Sequence, residues 1–227
     1  MDIEASDQSL MIANMAGLLA DASRATMALA LLDGRAYTAN ELARAANVSP
    51  QTASFHLGKL AHANFVQFIS QGRHRYFRLA GPNIAQMLET FLALRTPSAP
   101  RNIATSCPPR LRSARCCYDH IAGRLGVAIY RGMLGKGWVV PDGSELAATS
   151  MAKPILLALG IPDAPSILRA KPCLDWSERE FHLAGDLGRL LLHTMLEHRW
   201  LLRGKGRALV LTEEGQRWFK SSGLTAG

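Results

Sequence analysis

Cys116, Cys117 and His120 fall within five residues, and Cys173, Asp175 and His182 form a second group of the same ligand types. Thiolate, imidazole and carboxylate together suit a soft or borderline metal ion, while a cysteine beside a histidine also suits thiol switching or nucleophilic chemistry. Read as a helix, the first group sets His120 one turn beyond both thiols, at i+4 and i+3. Neither group has Cys-x-x-Cys or His-x-x-x-His spacing. Three readings therefore stay open: small core cysteines with Asp119, Asp175 and the histidines fixing loops, a metal or metalloid site, or a thiol-reactive switch. A Cys/His hydrolase with Asp119 or Asp175 orienting the imidazole is the weakest alternative, because no Gly-rich elbow or nucleotide loop accompanies the cluster. No catalytic residue is assigned.

A second set of side chains suits nucleic acid. The stretch Thr38 to Leu79 reads as helix, tight turn, helix and two-stranded ribbon. Thr38 or Asn40 can cap the first helix, whose apolar positions are Leu42, Ala45 and Ala46. Asn47-Val48-Ser49-Pro50 breaks it, and Ser49 as N-cap with Pro50 at the first helical position starts another. There Ala53, Leu57 and Leu60 face a core, so Gln51, Thr52, Phe55, His56 and Lys59 face outward with Ser54 beside them, a set fitted to base edges and phosphates. Strands Phe65 to Ser70 and His74 to Leu79 follow, and their tip carries Arg73, His74 and Arg75 toward a sugar-phosphate backbone or minor groove. Between Leu42 and Leu88 there are five basic residues and no acidic one, a surface that attracts a polyanion.

These residues resemble the ArsR-type winged helix-turn-helix repressors, through Asp21-Ala22-Ser23-Arg24, Glu41-Leu42-Ala43, Ser54-Phe55-His56-Leu57 and Gly72-Arg73 through Tyr76. The rest of the chain is similar to a long-tailed subgroup marked by Cys117-Tyr118-Asp119-His120 and by Cys173 to Arg179 with His182-Leu183-Ala184-Gly185. The resemblance implies double-stranded DNA as partner and a homodimer formed through the first and last helices of the domain. The familiar metal positions of that family are vacant here: Leu42-Ala43-Arg44-Ala45 lacks the cysteines of arsenic sensors, and Asn83 to Leu94 lacks the Asp and His ligands of zinc sensors.

With 227 residues and 48% hydrophobic content, the chain is long enough for two cores. The expected organisation is a winged helix-turn-helix and dimerisation domain over 1–95, a Pro/Arg-rich linker over 96–114, and a C-terminal sensor domain over 115–227. The expected fold class is mainly α with small β-hairpins, the C-terminal domain being helical, with a second winged-helix-like module as one option. Leu10 to Ala20, the segment from Asp21 to about Asp33, Asn83 to Leu94 and Leu183 to Trp200 carry helical apolar spacing, after a frayed stretch at 1–9. Arg115 to Leu134 also reads as helix, Ser144 to Ala147 as a short helix, Gly160 to Trp176 as a Pro-rich surface wrap, and Leu201 to Leu211 as a hairpin before a last helix opened by Thr212. Ile84, Met87, Leu88, Phe91 and Leu92 make a broad stripe that a symmetric partner would bury, or that packs on the protein's own C-terminal half.

The net charge of +8 is unevenly placed: residues 1–95 hold 8 basic and 7 acidic side chains. Local charge, not the total, carries the DNA argument. Arg95, Arg101, Arg110, Arg112 and Arg115, in or beside the linker, either follow the DNA backbone or are solvated. The absence of a long apolar run and the acidic, polar start imply no membrane span and a cytoplasmic location, where the four cysteines stay reduced. The expected effector is a metal ion or small molecule held by Cys117, His120, Cys173, Asp175, Trp176 and His182. Cys116 is a further metal candidate, and Trp138, Trp176, Tyr118, Tyr130 and Met133 are candidates to line an apolar pocket.

Overall fold

The computed structural model describes residues 3–72, 74–93, 107–161 and 168–224. The chain divides into two compact units, Met1–Ala85 and Gln86–Gly227. Most of the expected linker, including Pro97, Pro100 and Arg101, lies outside the described residues.

Unit 1 begins with α1 (Ile3–Leu19), so the helix reaches into the stretch expected to fray, and continues with α2 (Ala22–Ala30), β1 (Tyr37–Thr38), α3 (Ala39–Ala46), α4 (Pro50–His62), β2 (Val66–Gln71) and β3 (His74–Leu79). Helix α5 (Pro82–Ala93) runs across the division. Side chains set the helix starts. Asp21 accepts the Arg24 N–H at 2.9 Å and opens α2. Thr38 and Glu41 form a reciprocal capping box at α3, and Asn47 closes that helix in the left-handed region at φ 53°. Ser49 accepts the Thr52 N–H at 3.1 Å, with Pro50 at the first position of α4. The sheet has the order β1-β3-β2, all antiparallel, with Val66 opposite Leu79 and Gln71 opposite His74. Met27, Leu31, Leu32, Leu42, Ala53, Leu57, Leu60, Phe65 and Leu79 are buried. On α3 it is Ala43, not Ala45, that joins Leu42 in the core.

Unit 2 carries more sheet than the expected helical domain. After α6 (Pro109–Ser113) come β4 (Arg115–Cys117), β5 (His120–Ala122), α7 (Arg124–Gly135), β6 (Val139–Asp142), β7 (Glu145–Ala148), α8 (Lys153–Ala158), β8 (Arg169–Leu174), β9 (Phe181–Ala184), α9 (Gly185–Glu197), β10 (Leu201–Arg203), β11 (Leu209–Leu211) and α10 (Glu213–Ser222). The expected helix from Arg115 is a hairpin as far as Ala122. Tyr118 takes a left-handed turn at φ 59°, and a helix starts only after Gly123 at φ 80°. The expected short helix at 144–147 is instead the turn at Gly143 (φ 62°) and Ser144 followed by strand β7, with Asp142 opposite Glu145. The Pro-rich stretch lies partly outside the described residues and from Arg169 is a strand. Strands β6-β7-β8-β9 form one antiparallel sheet and β4-β5 a separate pair. The β10–β11 hairpin between α9 and α10 keeps the expected helix, hairpin, helix order.

Within unit 2 a repeat organises the packing. Cys117-Tyr118-Asp119 and His120-Ile121-Ala122-Gly123-Arg124-Leu125-Gly126 correspond to Cys173-Leu174-Asp175 and His182-Leu183-Ala184-Gly185-Asp186-Leu187-Gly188. Each copy is a hairpin followed by a helix, and in each the cysteine stands directly opposite the histidine, Cys117 to His120 and Cys173 to His182. Gly123 and Gly185 share the left-handed region at φ 80° and 74°. The helices are exchanged: α7 packs chiefly on β9, and α9 on β5 and β8. Gly126 and Gly188 permit this approach. A Cβ at Gly188 would meet the Leu183 carbonyl oxygen at 2.3 Å and the His120 Cβ at 3.1 Å, and one at Gly126 would meet the Ile121 oxygen at 2.3 Å and the His182 Cβ at 3.3 Å.

Gly188→Ala should therefore destabilise unit 2. Alanine's helix preference, about 1 kcal/mol over glycine, is opposed by a clash with backbone that cannot rotate away, and overpacking costs about 1–3 kcal/mol or more. Chemical denaturation followed by the fluorescence of Trp138, Trp176, Trp200 and Trp218 would read the loss; an unchanged midpoint would refute the close approach.

Candidate nucleic-acid interface and a buried Cys/His centre

Helix α4 presents Gln51, Thr52, Ser54, Phe55 and Lys59 to solvent, and the β2–β3 hairpin presents His74 and Arg75. Lys59 lies over the Phe55 ring at 4.5 Å, and Arg75 over Phe68 at 5.1 Å. Both cations thus rest on apolar surface while their charge stays outward. Arg73 lies outside the described residues. Ser54, Phe55 and Lys59 also line a groove of about 990 Å³ between α4 and α1, whose other wall includes Leu10, Met11, Met15 and Leu18.

His56 corrects the expected outward set, being 8% exposed and turned inward. Its Nδ1 is 3.4 Å from Arg24 Nη1 and its Nε2 is 3.7 Å from an Asp21 carboxylate oxygen. Arg24 in turn donates to the carbonyl oxygens of Leu18 at 2.6 Å and Gly17 at 3.0 Å, the last turn of α1, whose carbonyls have no partner within the helix. The Asp-Ala-Ser-Arg and Ser-Phe-His segments therefore meet in one polar junction that fixes α1, α2 and α4 together. In the sequence, His56 looks like a surface donor because its neighbours Phe55 and Lys59 are exposed. Its partners, one helix away, leave no local signal.

In unit 2, Arg115 is fully buried, not a linker cation following DNA. It donates to Asp175 Oδ1 at 3.0 Å, to Ser177 Oγ at 3.0 Å and to the Leu111 carbonyl at 3.3 Å, and its guanidinium sits 4.7 Å from the Trp176 ring centroid. Buried Glu89 approaches it at 3.9 Å and also pairs with Arg207. Arg112 pairs with Glu178 at 2.9 Å. The second Asp175 oxygen accepts the Gly123 N–H at 2.6 Å. Burial alone would raise the Asp175 pKa, but Arg115 and that N–H hold it well below the usual carboxylate range.

Beside this pair the Sγ atoms of Cys117 and Cys173 and a ring nitrogen each of His120 and His182 lie within 4.8 Å of one another, all buried. The two Nε2 atoms are 3.1 Å apart and the rings stack with centroids at 5.0 Å. Behind them, His120 Nδ1 is 3.0 Å from Asp119 Oδ1 and His182 Nδ1 is 3.4 Å from Asp175 Oδ2. Cys173 alongside and burial both push the Cys117 thiol well above its ordinary value. Burial and the neighbouring His120 ring push His182 down to about 3. Burial disfavours charge on His120, yet Cys117 and Asp119 raise it to about 9.

Four of the six expected effector residues thus converge, from strands and not from one helix face. Asp175 supports them from behind, and Trp176 faces Arg115. Cys116 points away: adjacent strand residues face opposite sides, and its thiol donates to the Tyr118 carbonyl at 3.2 Å within the main core. Of the expected aromatic set, Met133, Tyr130 and Trp138 pack in or against the main core, Tyr130 also lying beside Phe181, while Trp176 lies against Arg115. The buried Cys117 thiol, with its raised pKa, is the opposite of an activated nucleophile, which counts against the hydrolase alternative. Glu89, Gly126 and Gly188 escaped the sequence reading, although the C-x-D and H-[IL]-A-G-x-L-G repeat was there to point to the glycines.

A capped helix after a tight turn, an antiparallel hairpin and an exposed polar and basic set define a winged helix-turn-helix DNA-binding unit. Residues 19–67 match the family described as "Helix-turn-helix domain". An uncharacterised HTH-type transcriptional regulator of Bacillus subtilis (strain 168), YdfF, is 39% identical over 215 residues, covering 92% of this chain and 95% of that protein. The chain belongs to the helix-turn-helix transcriptional regulators. Solved structures with partial likeness include NolR from Sinorhizobium fredii (18% identity, 42% of this chain, 94% of that chain, TM-score 0.39). Another is the winged helix-turn-helix domain of Mb0332 from Mycobacterium bovis (23% identity, 40% of this chain, 83% of that chain, TM-score 0.37). Among the described residues no single helix is long and apolar enough to cross a membrane.

The burial of His56 separates it from its exposed neighbours. His56→Ala should lower the stability of unit 1 by about 1 kcal/mol, the scale of a lost internal hydrogen bond, and leave the preferred DNA sequence unchanged. A binding-site selection performed on the variant would overturn this placement if the selected bases changed while the melting temperature did not.

Proposed function

We propose that this chain is a dimeric, sequence-specific repressor, that α4 enters the major groove with the β2–β3 hairpin along the backbone, and that a signal received by unit 2 changes its DNA affinity. The observation that carries the reading is the exposed row Gln51, Thr52, Ser54, Phe55 and Lys59 on one capped helix, followed by His74 and Arg75 on the hairpin, with no acidic residue between Leu42 and Leu88. Short polar side chains at the start of a recognition helix reach base edges, and wing cations neutralise phosphates. Dimerisation is supported by exposed apolar residues on α1, where Leu10, Met11 and Ile12 are 58%, 61% and 65% exposed, and by Phe91 on α5 at 50%. A twofold partner would cover such faces and set two recognition helices about one DNA turn apart. A response through unit 2 is supported by the convergence of Cys117, His120, Cys173 and His182, which keeps a metal-responsive regulator as the alternative form of this reading.

Titration of the protein against the DNA upstream of its own gene should give affinity for an inverted repeat at least about a thousandfold above random duplex, falling steeply with salt. Arg75→Ala should weaken all sequences alike and reduce the salt slope by about 1, while Ser54→Ala or Gln51→Ala should relax base preference by about 1–3 kcal/mol per lost contact. Binding no tighter than to random duplex would end the repressor reading. A monomer by light scattering at the concentrations that saturate the DNA would end the dimer.

A further inference from the structure

We propose that Cys117, His120, Cys173 and His182 form a closed, tetrahedral site for one zinc-class cation, which fastens the two hairpin-helix repeats of unit 2 to each other. Each repeat supplies one thiol and one imidazole, and the pairing of Cys117 with His120 and of Cys173 with His182 puts the two ligands of each hairpin on the same face. The four donor atoms lie within 4.8 Å of one another and the two Nε2 atoms are 3.1 Å apart. A tetrahedron with bonds of about 2.0–2.3 Å has edges of about 3.3–3.8 Å, so small inward shifts of the sulfurs complete it.

Hydrogen-bond accounting points the same way. Two neutral imidazoles whose Nε2 atoms face each other share one proton, and that leaves one ring with its Nδ1 lone pair aimed at its own carboxylate unless it carries a buried charge. With a cation between the rings, both Nε2 lone pairs bind it and both Nδ1–H groups donate, to Asp119 at 3.0 Å and to Asp175 at 3.4 Å. His182 Nδ1, which is otherwise buried without a hydrogen-bond partner, then has a donor's role. A carboxylate behind each ligating histidine is the usual support of a metal site. Two thiolates and a divalent ion also sum to zero charge, which burial tolerates. Two sulfurs and two nitrogens in a tetrahedron suit zinc over magnesium or calcium, and four protein ligands leave no open position for catalysis. Cys107 and Cys116 are not among the converging donors, and Cys116 is committed to Tyr118.

The full-length chain, purified under reducing conditions, should contain close to one zinc per chain by mass spectrometry. After chelator stripping, Co²⁺ should bind one to one with the visible absorption of a tetrahedral ion and a thiolate charge-transfer band. Cys117→Ser and Cys173→Ser should each abolish that band, and Cys107→Ser should leave it intact. Because the serine variants can fail to fold for lack of the ion, the stripped wild-type chain supplies a second readout: added zinc should raise its melting temperature by roughly 10 °C. Sub-stoichiometric zinc with no thiolate band, a band that survives both serine substitutions, or a melting temperature indifferent to zinc would each overturn the site. These measurements use no DNA and so stand or fall separately from the repressor reading.

Discussion

The buried pair between Arg115 and Asp175 is the contact on which unit 2 depends. Both side chains are withdrawn from water, and removing one partner of such a pair typically costs about 3–5 kcal/mol because the survivor is left as an uncompensated charge. Their positions in the chain explain why the contact matters. Arg115 begins β4 and Asp175 opens the turn after β8, while the other Asp175 oxygen reaches the Gly123 N–H at the foot of α7 and faces His182 on β9. One carboxylate thereby sets the spacing between the two repeats and the orientation of a ring at their junction.

Unit 1 uses the same device in milder form. Asp21, Arg24 and His56 join three helices, but Asp21 is part-exposed, so each interaction is screened and the junction is worth less. What it supplies is aim. With His56 turned inward and Arg24 closing the end of α1, the recognition helix has one rotation about its axis, and that rotation delivers Gln51, Thr52, Ser54, Phe55 and Lys59 to the surface. Buried polar contacts in both units therefore act as positioning elements, while the apolar residues around them supply most of the stability.

How much of this was legible depended on whether the determinants were local. The starts of α2, α3, α4 and α10 could be read because Asp21, Thr38, Ser49 and Thr212 cap within three residues. The wing could be read from its period-two pattern and its Gly72 tip. The hairpin at Cys116 to Ile121 could not, since Ile121, Leu125, Ile129 and Met133 also step by four, and only the Tyr118 turn and Gly123 separate strand from helix. The Cys/His centre was half legible. The residue types were evident, but a helical reading put Cys116 and Cys117 on one side, whereas strand geometry sends Cys116 to the core and Cys117 to the cluster. Arg115 was misread because an arginine in a Pro/Arg-rich stretch gives no sign of a carboxylate 60 residues later.

The exchange of helices between the two repeats has a consequence for how the chain is made. The strand bearing His120 is covered by α9, and His182 is 62 residues further along. At synthesis rates of about 5–20 residues per second, that stretch takes roughly three to twelve seconds to leave the ribosome. Throughout that interval β4, β5 and α7 lack the elements that cover them, and Arg115, Cys117 and His120 lack their partners Asp175, Cys173 and His182. Unit 1, whose sheet and caps are all closed by Leu79, is by then complete. The nascent polypeptide thus has its DNA-reading surface before it has a closed second half.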